Sequence, residues 1–142
     1  MSSGAPAPAP PGPARMLRAW LPVLLYIGVI FSLSSLHSTG PTFFAWQDKV
    51  EHSLEYGCFG LLVSRAFFLT LGPARGLAWA LGSMAFGSFI GAMDEIYQRW
   101  VPGRDSDIRD WVADTTAVIV AVLVASFIAR RVARARERER TR

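Results

Sequence analysis

Chemistry-bearing residues fall into three short stretches of this chain. Lys49, His52 and Tyr56 recur at three- and four-residue spacing, so on a helix they share one face, with Gly60 one turn further on and Glu51 and Glu55 beside them. An imidazole ionises near neutrality, which suits His52 to general acid–base work or to metal ligation. The same ring, bonded to a carboxylate, can simply fix one helix against another. Asp94 and Glu95, with Gln98 following, can hold a divalent cation or serve as a base, and they can equally neutralise Arg104. Pro102-Gly103 is a turn dipeptide. It either aims the planar fork of Arg104 at an anionic group or does no more than reverse the chain. Asp107, Asp110 and Asp114 then lead into the last apolar run. Enzyme templates of the His-Glu-x-x-His, Gly-x-Ser-x-Gly and phosphate-loop kinds do not occur.

The elements that must position these residues are apolar helices. Over 142 residues, only 18% are charged and 51% are hydrophobic, and the charges crowd between uncharged runs and at the ends. Runs of residues 19–36, 76–93 and 111–129 are close to the roughly 20 apolar residues a bilayer-spanning helix needs. Residues 54–71 qualify if Glu55 lies at one interface and Arg65 snorkels toward the other. Arg15 and Arg18 before the first run also suit a signal peptide, but that run exceeds an ordinary signal-peptide core and three more follow. The expectation is an all-α, integral membrane four-helix bundle over residues 16–130. An Ala/Pro-rich disordered tail precedes it at 1–15, and a basic tail follows at 131–142. The single cysteine, Cys58, excludes an internal disulfide and is read as packing. The isoelectric point near 10 does not imply a nucleic-acid partner, because seven of the fifteen basic residues lie in the last thirteen positions.

Four spans place both termini and residues 72–75 on one side, with ten arginines there against Lys49, Arg99, Arg104 and Arg109 on the other. That bias puts both termini in the cytoplasm and the polar stretches at the outer face of the cell membrane. Nine of the eleven acidic residues and both histidines, His37 and His52, then collect at that face. Ser83, Gly87 and Gly91 form a small-residue stripe, and Ala117, Ala121 and Ala125 are expected to form another beneath the aspartates. Tyr97 and Trp100 suit an interfacial aromatic belt.

DKVEHSLEYGCFGLL at 48–62, DEIYQRWVPGRDSDIRDWVADT at 94–115 and the SLSS of 32–35 together resemble the VanZ-like family of bacterial membrane proteins. The resemblance rests on Lys49, His52 and Tyr56, on Asp94, Glu95, Gln98, Pro102, Gly103 and Arg104, and on Asp110. It covers roughly residues 19–128. The family usually carries Asn-Thr-x-Gly where this chain has Asp114-Thr115-Thr116-Ala117, so the resemblance assigns position 114 no role. The family's namesake lowers susceptibility to the glycopeptide teicoplanin, and most members have no assigned reaction. The resemblance therefore implies a polytopic protein of the cell envelope. Lys49, His52, Tyr56, Asp94, Glu95, Gln98, Arg104 and Asp110 would line an outer-face pocket for an anionic lipid-linked or glycopeptide ligand, with no cofactor. The alternative is an integral-membrane hydrolase or transferase on a lipid-linked envelope substrate, with His52 and Glu95 carrying protons.

Overall fold

The computed structural model describes residues 11–36, 47–104 and 106–141, with no side chain described for Asp48. Four helices run through them: α1 Pro13–Ser34, α2 Gln47–Leu71, α3 Gly76–Gln98 and α4 Ile108–Arg140. No strand occurs among the described residues. The helices are long and apolar enough to cross a membrane, and the chain is a multi-pass membrane protein.

Helix ends follow local chemistry. Pro13 stands at the first position of α1, where its preset φ helps and its missing N–H costs nothing. Residues 13–15 are thus helical rather than part of the expected tail, while residues 1–10 lie outside the described residues. Leu71 ends α2 because Gly72 takes φ 77° and donates to the Phe68 carbonyl at 2.9 Å, and Pro73 cannot continue the helix. A 3-10 turn, Pro73–Arg75, then opens α3. Asp107 caps α4 by accepting from the Arg109 N–H at 2.8 Å. Helix α2 begins seven residues before the expected 54, and α3 runs five residues beyond 93. Residues 47–53 and 94–98 are therefore helical extensions of the spans, while the described residues between Gln98 and Ile108 form turns and irregular chain.

Neighbouring helices alternate in direction, because α2 meets α4 in parallel (His52 by Asp114, Gly60 by Ala121) while α1 and α3 run antiparallel to α2. Helices α2, α3 and α4 form a three-helix core, and α1 lies along α2 with no packing against α4 among the described residues. Ala19, Val23, Ile30 and Ser34 of α1 are buried, whereas Leu17, Leu24, Leu25 and Leu33 are exposed, the surface expected of a helix facing lipid. Pro22 lacks the N–H that would bond the Arg18 carbonyl one turn earlier, and Arg65 donates to that carbonyl at 3.4 Å. Arg65 therefore satisfies a broken helix bond where the sequence suggested only snorkelling to an interface.

Small residues set the close approaches. A Cβ on Gly60 would stand 2.9 Å from Ala121 Cβ and 3.1 Å from the Val118 backbone, and one on Gly87 would stand 2.6 Å from Val118 Cγ1. Ser83, Gly87 and Gly91 form the buried stripe that their spacing predicts. On α4 the buried series is Asp110, Asp114, Val118, Val122 and Ser126, with Ala121 beside it. Ala117 and Ala125 are only half-buried, so the expected alanine stripe is displaced to the four-residue row that continues directly from the aspartates. From Arg130 onward α4 is wholly exposed. At 33 residues it spans about 50 Å, well beyond a hydrocarbon core of about 30 Å, so its basic end continues past the bundle as helix.

Candidate functional site

The beginnings of α2 and α4 and the end of α3 meet at one end of the bundle, and the polar side chains they carry turn inward. His52, Tyr56, Asp94, Glu95, Gln98, Asp110 and Asp114 are all buried. Carboxylates at membrane depth are costly unless partnered, which is the force that turns them away from lipid. His52 and Tyr56 on α2 thus converge with Asp94, Glu95 and Gln98 on α3, as their helical facing predicts. His37 and Asp105 lie outside the described residues.

His52 and Asp114 form the centre. Nδ1 of His52 stands 3.1 Å from Oδ1 of Asp114, which is fully buried. Asp114 Oδ2 has no hydrogen-bond partner among the described residues. One turn outward on the same helix pair, Lys49 bonds Asp110 and stands 3.9 Å from Asp107. The three helices pack closely at this level: a Cβ on Gly91 would sit 3.4–3.5 Å from the Tyr56 ring, Asp114 Cβ and Trp111. The hydroxyl of Tyr56 is buried without a partner among the described residues. Below, Ser88 and Thr115 share a hydrogen bond at 2.9 Å, and Trp111 donates to the Ser88 carbonyl at 3.1 Å, locking α3 to α4.

The adjacent pair Asp94 and Glu95 divides its work, because neighbours on a helix point about 100° apart. Asp94 accepts from Gln98 Nε2 at 3.1 Å. Glu95 reaches α4 instead: its Oε2 accepts from Ser106 Oγ at 3.1 Å and from the Asp107 N–H at 2.9 Å. Its Oε1 is buried and unpartnered among the described residues. Ligand atoms of His52, Glu95 and Asp114 all lie within 4.8 Å of one another. Among the described residues, this trio brings three potential ligand groups together, and it includes Glu95 but not Asp94.

Arg104 departs from expectation. Val101 to Arg104 form a type II turn, with Gly103 at φ 80° after Pro102 and the Arg104 N–H bonding the Val101 carbonyl at 3.2 Å. That turn directs the guanidinium to α1, where it donates to the Ser34 and Leu33 carbonyls at 3.2 Å each. Both are among the last carbonyls of α1, at the negative end of a helix dipole, a favourable place for a cation; the Leu33 carbonyl also accepts from the Leu36 N–H at 3.0 Å. Arg104 thus caps α1 and makes no ion pair with Asp94 or Glu95.

Sequence alone assigns no role to two residues at this end. Asp114 follows Asp110 at four-residue spacing, the signal that places it on the buried row of α4. Glu55, expected at a membrane interface, is half-buried with Oε1 unpartnered among the described residues, and its place three positions after His52 is the signal for it. Tyr97, beside Trp100 in the expected belt, shares a hydrogen bond with Ser35 at 2.8 Å, tying α3 to the end of α1.

Comparison with protein-family models, curated proteins and solved structures returned no match, so the resemblance to VanZ-like proteins rests on the residues quoted for it alone.

Proposed function

We propose that this chain is a cell-envelope membrane protein of VanZ-like type, with both termini cytoplasmic, that performs hydrolysis or group transfer on a lipid-linked envelope substrate. The observation that carries this reading is the buried His52–Asp114 pair, 3.1 Å apart, with Glu95 beside it. A carboxylate on Nδ1 holds an imidazole in the tautomer whose Nε2 accepts a proton, the orienting arrangement that general-base catalysis uses. His52 would take the proton of a water or of an acceptor hydroxyl. Glu95, anchored through Oε2, would deliver a proton through Oε1 to the leaving oxygen. A site at the end of a membrane bundle suits an amphiphilic substrate, whose polar head would reach it while its chain stays in lipid. Simple anion binding fits less well, since Lys49 is engaged by Asp110 and Arg104 by the carbonyls of α1.

The test is teicoplanin susceptibility of cells expressing the wild type, His52→Asn or Glu95→Gln, with membrane protein quantified and envelope lipids profiled in parallel. The wild type should shift susceptibility and alter one lipid-linked species. Both variants should accumulate normally and do neither. A wild type that shifts no envelope-stress susceptibility and no lipid species overturns the proposal.

A further inference from the structure

We infer that His52, Glu95 and Asp114 form a binding site for one divalent transition-metal ion of the zinc or manganese class. The inference rests on the reading of this site as a reaction centre and on the same three side chains; with an ion on Nδ1, His52 is a ligand with its proton on Nε2, and Glu95 alone remains to carry a proton.

Three independent features of the trio point to a cation. The first is distance. Two ligands each about 2.1 Å from an ion lie 3.1 Å apart at an angle of about 95°, within the range of octahedral and tetrahedral sites. The His52–Asp114 separation of 3.1 Å therefore accommodates a shared ion as readily as a shared proton. Ligand atoms of all three residues already lie within 4.8 Å of one another, little more than the diameter of a coordination sphere.

The second is unmet bonding capacity. Asp114 is fully buried and Glu95 nearly so, and each keeps one carboxylate oxygen without a hydrogen-bond partner among the described residues. The other oxygen of Glu95 is held, Oε2 accepting from Ser106 Oγ and from the Asp107 N–H. This is the arrangement by which outer contacts orient a ligating carboxylate. Buried acceptors are normally satisfied, so an open oxygen on each of two carboxylates whose ligand atoms approach within 4.8 Å calls for a ligand.

The third is charge. A neutral imidazole with two carboxylates carries a charge of −2, which a divalent ion cancels in a buried site where net charge is costly. The donor set also selects the ion. An imidazole nitrogen favours first-row transition metals over magnesium and calcium, which prefer oxygen alone.

The experiment uses the full chain, tag-free and in detergent micelles, stripped with chelator and then equilibrated with Zn²⁺, Mn²⁺ or Mg²⁺ before bound metal is counted. The wild type should retain one Zn²⁺ or Mn²⁺ per chain and no Mg²⁺. Asp114→Asn and Glu95→Gln should each weaken binding by about tenfold or more while keeping the helical circular dichroism spectrum. Cobalt absorption gives a second reading that needs no variant at the site. Co²⁺ in the wild type should show d–d bands that Zn²⁺ displaces, unchanged in Cys58→Ala. Absence of stoichiometric metal, undiminished binding in both carboxylate variants, or a sulfur-to-cobalt band lost in Cys58→Ala would each overturn the site. None of these outcomes touches the susceptibility assay, so the ion can fail while the reaction centre stands. A bound ion in a chain that shifts no susceptibility has the opposite meaning.

Discussion

Replacing Glu95 by glutamine or by alanine separates what this carboxylate does for the fold from what it does in the pocket. Its Oε2 accepts from Ser106 Oγ at 3.1 Å and from the Asp107 N–H at 2.9 Å, and these two bonds hold the start of α4 against the end of α3. Both substitutions delete the same buried charge, so the relief of desolvation is common to them and cancels in their difference. Glutamine keeps an oxygen acceptor where Oε2 stands, whereas alanine keeps none. Two neutral hydrogen bonds at about 0.5–1.5 kcal/mol each make Glu95→Gln about 1–3 kcal/mol more stable than Glu95→Ala. The space vacated in the alanine variant widens the gap. The assay is equilibrium unfolding in mixed micelles with chelator present, followed by near-ultraviolet circular dichroism. Trp111 is a suitable reporter because its indole bridges to the Ser88 carbonyl across the α3–α4 seam. Equal stability of the two variants, or a less stable glutamine variant, would refute the anchoring role of Oε2.

Close packing and the Arg104 cap make two further predictions. Gly87→Leu should destabilise the bundle by about 1–3 kcal/mol, because its Cβ alone would stand 2.6 Å from Val118 Cγ1; Gly28→Leu, where a Cβ meets nothing within 4 Å, should change little. Parallel unfolding curves of the two variants check this. Arg104→Ala should lose the bonds to the Leu33 and Ser34 carbonyls, and its effect should add to that of Glu95→Gln within about 0.5 kcal/mol, since the residues share no hydrogen-bond partner. A rescue of Arg104→Ala by Glu95→Gln in a double-mutant cycle would restore the Arg104–Glu95 pair that sequence suggested.

Much of this architecture is written locally in the chain. Four apolar runs of bilayer length can only be helices where no water meets the backbone, so their number and order need no tertiary information. Gly72-Pro73 stops α2 and Pro102-Gly103 turns the chain through conformations those residues favour on their own. The shared faces of His52 with Tyr56 and of Ser83, Gly87 and Gly91 follow from helical geometry alone. Partners across the bundle were a different matter. Arg104 had acidic neighbours in sequence, yet the carbonyls it caps lie some seventy residues earlier, where α1 happens to end. The link from Arg65 to the carbonyl freed by Pro22 exists only because α1 lies antiparallel on α2. On α4, rows at three- and four-residue spacing both run from Asp114, and helical periodicity alone ranks neither. The position of Gly60 and Gly87 against Val118 decided it, burying the row through Val118 and Val122 and carrying Asp114 onto His52. Local rules act within a turn or two of helix, but ion pairs, caps and ligand sets are made wherever backbones pass close enough, and that distance is set by packing.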